Sequence, residues 1–293
     1  MVTVYVNRAT SDDVRRASLF TGDFYLYTGV PAALGLVEHA RELIAEAFGD
    51  LDPARAQYEL AVEEFIRRVA PLKSEFTNGE RTKQLCQAYA TDLGMDPERT
   101  YFDIPRLRVI PADGFLTAGV SYNYKPHRDM WYGHPRQLLN HWVPVYPVVA
   151  ENVMSMFTDY FDRPLKNASN AYDYDEWVAK HRFAAAEKTT TDDRPHPLPL
   201  EEVSSHGEIR IAASEGDIFM FSSNHLHASV PNTSGVTRFS YDLRTLNLDD
   251  VLADRGPRNV DSGATGTTLG DFLRVADLAP LELDNLVASS AVA

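Results

Sequence analysis

Apolar residues recur at three- and four-residue steps through the first third of the chain. Leu36, Ala40, Leu43, Ile44, Ala47 and Phe48 follow this spacing, as do Tyr58, Ala61, Val62, Phe65, Ile66 and Val69. Positions so spaced share one face of an α-helix, so each stretch predicts an amphipathic helix with a buried stripe. Pro31 and Pro53 stand near the starts of these segments, where a missing amide donor is harmless. A further apolar-periodic stretch runs from Thr82 to Leu93. Residues 1–97 are therefore expected to form a helical layer.

From Tyr101 the spacing shortens to runs rich in Val, Ile, Tyr and Phe: Arg106 to Ile110, Leu116 to Tyr124, Leu138 to Val145, Ile209 to Ala212, Asp217 to Phe221 and Thr237 to Leu246. Gly, Pro, Asn or Asp stand near most of their ends, as expected for strands joined by turns. This predicts a strand-rich core over 101–248, backed by helices. Residues 152–207 interrupt it with an aromatic-acidic portion (Asn170 to Trp177), a predicted short helix (Asp175 to Lys188) and a polar, proline-containing tract. This segment has the character of an insertion over one end of the core, where a lid would sit. Residues 249–293 form a polar extension, with one apolar stretch, Leu269 to Leu281, expected to dock as a helix. No internal repeat or strong linker divides the chain, and one domain over 1–293 is expected.

Charge narrows the function classes. Against 28 basic residues stand 42 acidic ones, a formal net charge of −14, and no cluster of Lys and Arg suits a polyanion. Nucleic acid and anionic membrane surfaces are not expected as partners. Cys86 is the one cysteine, which excludes an intramolecular disulfide and a thiolate-rich metal site and suits a reducing cytoplasm. Met1 to Arg16 mixes charges with short apolar pieces, unlike a signal peptide. The most apolar later run, Val143 to Ala150, is broken by Pro144 and Pro147 and stopped by Glu151, far short of a membrane span. A small molecule, amino-acid-like or a secondary-metabolite intermediate, is the expected substrate class.

The chemistry gathers in two segments. The first, Tyr124-Lys125-Pro126-His127-Arg128-Asp129-Met130-Trp131-Tyr132, ends a strand-like run; in an extended backbone residues two apart project to one side, so His127 and Asp129 are able to grip one ion. The second runs from Gly216-Asp217 through His225-Leu226-His227 and Pro231-Asn232 to Arg238-Phe239-Ser240, and supplies a third ligand, His227, with a guanidinium eleven residues later. Two imidazoles and one carboxylate on one face of an octahedral ion leave the opposite positions open, the arrangement iron(II) needs for a bidentate 2-oxo acid and O₂ together. His225 is the natural rival to His227, two residues earlier on what would be the same strand face.

The H-x-D triplet, the Gly-Asp-x-x-x-Phe run of 216–221, His227 followed by x-Ser-x-Pro-Asn-x-Ser, and Arg238 eleven residues on together resemble the phytanoyl-CoA hydroxylase-like branch of the iron(II)/2-oxoglutarate-dependent oxygenases. The likeness spans roughly 105 to 246. It implies an α+β fold with a double-stranded β-helix core, a cupin-like jelly roll, behind the N-terminal helices. It also implies a non-haem Fe(II) dioxygenase that consumes 2-oxoglutarate and O₂, releases succinate and CO₂, and hydroxylates a small molecule. Carried over residue by residue, His127, Asp129 and His227 would hold the iron and Arg238 the far carboxylate of 2-oxoglutarate, with Ser240 as an auxiliary donor. An intact Asp129 disfavours halogenation, for which relatives replace the carboxylate. Nothing resembles a coenzyme A site, so the acyl-CoA substrate is not carried over.

Further candidates rest on position. Gln137 and Asn140, on the strand after the H-x-D turn, are placed to touch 2-oxoglutarate through their amides. Arg244 shares a strand face with Arg238 and is a substrate candidate, together with Tyr124, Trp131 and Trp177. The alternatives are a cupin-type dioxygenase or isomerase without 2-oxoglutarate, and a catalytically silent small-molecule-binding scaffold.

Overall fold

The structure, a computed structural model, describes residues 2–282. The last part of the expected extension, 283–293, lies outside the described residues. After a short first helix, α1 (Asp12–Leu19), the three periodic stretches fold as α2 (Pro31–Phe48), α3 (Val62–Asn78) and α4 (Glu80–Asp92). Pro31 opens α2 where the lost donor is an orphan anyway, and Gly49 closes it with φ +61, a conformation side chains resist.

The helical layer is not purely helical. Two short strands, β1 (Val4–Val6) and β2 (Phe24–Tyr27), lie within it and join the large sheet. Runs this short carry too few positions for a periodicity to register. The remaining strands are β3 (Thr100–Ile110), β4 (Leu139–Pro144), β5 (Met154–Phe157), β6 (Glu208–Arg210), β7 (Ile218–Ser222), β8 (His227–Ser229), β9 (Arg238–Asn247) and β10 (Phe272–Arg274).

Three expectations need correction. Leu116 to Tyr124 is not a strand but a loop with one 3₁₀ turn, Gly119–Ser121. Gly119 adopts φ +58, and a Cβ there would come within 2.2 Å of the Ala185 carbonyl oxygen, so chain from the 152–207 segment crosses directly over it. The stretch Leu269 to Leu281 holds no helix; it makes a 3₁₀ turn and then β10, which pairs antiparallel with β3 and buries Phe272 and Leu281 against Tyr101, Leu138 and Leu246. The 152–207 segment begins inside the core, because β5 is the middle strand of the small sheet; the chain leaves the core only after Phe157. There the helix expected over 175–188 is split into α5 (Tyr174–Lys180) and a 3₁₀ turn, Ala184–Glu187. A last short helix, α6 (Leu248–Leu252), comes directly after β9.

The large sheet has the order β1-β2-β7-β4-β9-β3-β10 and the small one β6-β5-β8. Beside β8, His127 makes an isolated antiparallel bridge to His227, which adds the H-x-D segment to the small sheet. From β3 to β9 the chain thus passes between the two sheets repeatedly: β3 large, His127 small, β4 large, β5 and β6 small, β7 large, β8 small, β9 large. Every pairing among these is antiparallel. This is a double-stranded β-helix, a jelly roll built in two layers.

Strand periodicity decides what each layer buries. On β9, Phe239, Tyr241 and Leu243 point to the helices, as do Leu107 and Val109 of β3 and Ile218 and Met220 of β7, and they pack with Leu36, Ile44, Phe65, Val69 and Phe76. The alternate residues face the small sheet. There Trp142, Phe219 and Phe221 pack with Met156 and Val153. Cys86 is buried in the helical layer. Among the described residues no helix is long and apolar enough to cross a membrane.

Candidate metal centre

The H-x-D segment is shaped by its neighbours in sequence. Pro126 biases Lys125 toward an extended backbone, and the Lys125 carbonyl meets His127 Nδ1 at 2.8 Å. A carbonyl oxygen only accepts, so Nδ1 carries the proton and Nε2 keeps its lone pair. Asp129 then opens a 3₁₀ turn, Asp129–Tyr132, which ends at Gly133 with φ +77. Asp129 is therefore presented by a turn rather than by a continuing strand.

His227 is the first residue of β8, and its Nδ1 lies 3.0 Å from the His225 carbonyl, which fixes the same tautomer. Potential ligand atoms of His127, Asp129 and His227 all lie within 4.8 Å of one another, and all three residues are buried. The rings of the two histidines are 4.3 Å apart. Asn140 Nδ2 donates to Asp129 Oδ2 at 2.6 Å, while Oδ1 has only a longer approach, 3.7 Å, from Arg244. Burial lowers the His127 pKa to about 3, with His227 adding to the effect. Burial alone would raise the Asp129 pKa, but His227 and Arg244 outweigh it and hold the group below the usual carboxylate range. Both groups are thus in the forms a cation needs, neutral imidazole and carboxylate.

His225 does not join them. Its Nε2 faces the Gly22 carbonyl at 3.1 Å and its ring packs on Phe24 and Phe161. The chain turns between 222 and 226, so 225 and 227 do not share a strand face.

The triad opens on a cavity between the sheets, lined on the large-sheet side by Arg106, Arg108, Asn140, Trp142, Arg238, Asp242 and Arg244 and on the small-sheet side by Met154, His227 and Ser229. Arg238 is buried; it donates to the Asn152 carbonyl at 2.8 Å and stands 6.0 Å from the Trp142 ring. Among the described residues its Nε has no partner, nor does the indole N–H of Trp142. The other three cavity arginines each meet a carboxylate: Arg106 and Arg244 meet Asp103, and Arg108 meets Asp242. Burial pulls the Arg238 pKa down to about 10, still cationic at neutral pH.

The other candidates divide. Ser240 is fully buried with an unpartnered Oγ on the same strand face as Arg238, though it does not line the cavity. Tyr124, Trp177 and Arg244 line it. Gln137 and Trp131 do not, which removes them as ligand contacts. The Gln137 amide is turned to Asp254, 3.3 Å away, and Trp131 donates to Asp261 at 2.7 Å from within an apolar cluster with Phe157 and Leu226. Several lining residues were not singled out in the sequence, among them Arg106, Arg108, Tyr172, Tyr174 and Asp242. For the first two a signal exists, since Arg-Leu-Arg-Val alternates charge with apolar side chains, but a charged strand face is ordinarily a solvated one.

Arg128, the middle residue of H-x-D, also went unnoticed. It is fully buried, meets both oxygens of Asp261 at 3.0 and 3.1 Å, and donates to the carbonyls of Tyr160, Arg163 and Asn224. Asp261 in turn accepts from the Leu165 amide at 2.9 Å. One guanidinium therefore ties the metal-site turn to the excursion and to the C-terminal extension.

No protein-family model matches this chain, and no curated protein matches it. Solved structures are similar to it. A crystal structure of EvdO2 from Micromonospora carbonacea var. aurantiaca complexed with 2-oxoglutarate aligns at 14% identity over 82% of this chain and 93% of its own, with a TM-score of 0.46. The alpha-ketoglutarate-dependent non-heme epimerase SnoN from nogalamycin biosynthesis aligns at 15% identity over 89% and 98%, with a TM-score of 0.41. EctD from S. alaskensis with bound Fe aligns at 14% identity over 87% and 83%, with a TM-score of 0.43.

Proposed function

We propose that this chain is a non-haem iron(II), 2-oxoglutarate-dependent oxygenase, one domain acting in the cytoplasm to hydroxylate a small molecule. The observation that carries this reading is Arg238. It is a buried guanidinium with, among the described residues, no carboxylate partner and an unmet Nε, in the same cavity as two histidines and an aspartate whose ligand atoms converge. A buried cation left this way costs several kcal/mol unless an anion completes it. A dicarboxylate that reaches from the triad to Arg238 does so, and the Trp142 N–H beside it is a second donor without an acceptor.

In this reading His127, Asp129 and His227 hold iron(II), Arg238 clasps the far carboxylate of 2-oxoglutarate, and Ser240 and Trp142 offer further donors. The bound iron and co-substrate supply the oxidising chemistry, with O₂ consumed and succinate and CO₂ released. The protein's own part is positional. The two backbone carbonyls fix the imidazole tautomers, Asn140 keeps Asp129 in place, and the aromatic wall of Tyr124, Tyr132 and Trp177 excludes water from the space beside the triad.

Anaerobic calorimetry tests the reading: iron(II) is titrated first and 2-oxoglutarate second. The expected result is binding of each, with Arg238→Gln weakening 2-oxoglutarate by about 100-fold, the scale of an unpaired buried charge contact, and leaving iron unchanged. Binding of 2-oxoglutarate by Arg238→Gln at full strength, or no binding by the parent, rejects it.

A further inference from the structure

The unmet polar atoms of the cavity fall into two groups. Arg238 Nε and Trp142 Nε1 belong to the end already discussed. Of the other four, Arg106 Nε, Arg244 Nε, Trp177 Nε1 and His196 Nε2, all buried, in the lining and without a hydrogen-bond partner among the described residues, two matter here: Arg106 Nε and Trp177 Nε1. Both are obligate donors. A buried donor without an acceptor is costly, so this end of the cavity is built for an oxygen-bearing group that the protein does not supply.

Three observations define what carries that group. First, the lining that Arg106 shares with the metal ligands is largely aromatic. Tyr132 lies 5.3 Å from the His127 ring and 5.5 Å from Tyr172, and Tyr174 stacks on Trp177 at 6.4 Å and 16°. Second, the charge of the lining is positive despite the acidity of the whole chain: four arginines, Arg106, Arg108, Arg238 and Arg244, stand against three carboxylates, Asp129 and Asp242 in the lining and Asp103 paired with Arg106 and Arg244 behind it. A ferrous ion and a 2-oxoglutarate dianion cancel, so the surplus persists with both in place. Third, an aromatic cage would suit an ammonium group, but here Arg108 already stands 5.0 Å from the Tyr124 ring, and Asp103 and Asp242 are both engaged by arginines. A cation would meet repulsion and no free carboxylate.

We infer that the substrate is a flat aromatic acid, with its ring against Tyr132, Tyr172 and Tyr174 and its anionic oxygens on Arg106 and the Trp177 N–H. This rests on the oxygenase reading for what happens to the substrate, but binding itself does not require it. The amino-acid-like substrate expected from the sequence is set aside, because its ammonium has no place in this lining.

The test is anaerobic calorimetry on the full chain saturated with iron(II) and 2-oxoglutarate, so that Arg238 is occupied. Benzoate and 2-naphthoate are compared with benzylamine and 2-naphthylmethylamine. The acids should bind at least 10-fold more tightly than the matched amines. Arg106→Gln should weaken 2-naphthoate by at least 30-fold and Trp177→Phe, which keeps a ring and removes only the N–H, by about 5- to 10-fold, with 2-oxoglutarate affinity unchanged in both. Trp177 sits on a partly exposed helix, so its variant is not expected to disturb folding. Preference for the amines, no binding of either acid, or acid binding indifferent to both substitutions overturns the inference. Should iron and 2-oxoglutarate fail to bind while the metal-free protein takes 2-naphthoate in an Arg106-dependent way, the inference stands and the oxygenase reading falls.

Discussion

His127 and His227, a hundred residues apart, exchange two main-chain hydrogen bonds of 2.9 Å each. Such a closely bonded antiparallel pair puts both side chains on the same face of the ladder. Their convergence is therefore a backbone property. His227→Ala should reduce iron(II) affinity by more than the ~100-fold typical of losing an outer partner. By contrast, His225→Ala should leave metal affinity within a few-fold and lower thermal stability. The reverse pattern in a metal titration would make 225 the ligand.

Asn140 reaches Asp129 from β4 and occupies one of its two oxygens. Asn140→Ala should weaken iron(II) binding by about 10- to 100-fold, because the carboxylate then rotates freely. Chemical denaturation of the metal-free protein should change far less. If affinity for the metal survives intact, Asn140 has no orienting role.

Asp261 neutralises Arg128 where both side chains are buried. Asp261→Ala should cost roughly 3–5 kcal/mol, the penalty for stranding one member of a buried pair; Asp261→Asn, which keeps an acceptor, should cost less. Urea unfolding of the two variants gives the comparison. Equal losses would mean that packing rather than charge matters at this position.

His141 links stability to pH. Its Nδ1 meets Tyr89 Oη at 3.0 Å, its Nε2 meets Thr245 Oγ1 at 2.8 Å, and burial lowers its pKa from 6.5 to about 3. Between those values the unfolded chain takes up a proton that the folded one refuses, so stability falls as pH drops from about 6.5 toward 3. The full effect is on the order of a few kcal/mol. His141→Gln should flatten part of that decline in urea midpoints measured across the window, and an unchanged slope would exclude His141 as a contributor.

Much of this was legible in one dimension. Helical spacing located α2, α3 and α4, because a stripe repeated over many turns outweighs local noise. Runs rich in Val, Ile, Tyr and Phe between turn residues located β3, β4, β7 and β9. The spacing of His127, Asp129, His227 and Arg238 named the residues that the structure draws to one cavity. Short elements failed for the opposite reason: β1, β2 and β10 offer three or four residues each, and their pairing partners, not their composition, make them strands.

The sequence alone established which side chains alternate along each strand, since that is set by backbone geometry. It did not say which of the two faces looks inward. Arg106 and Arg108 face the interior only because the small sheet closes over that side of β3, and Arg128 is buried only because Asp261 arrives from 133 residues away. Periodicity is local, whereas burial and charge pairing depend on segments distant in the chain. Those segments meet only once the jelly roll closes.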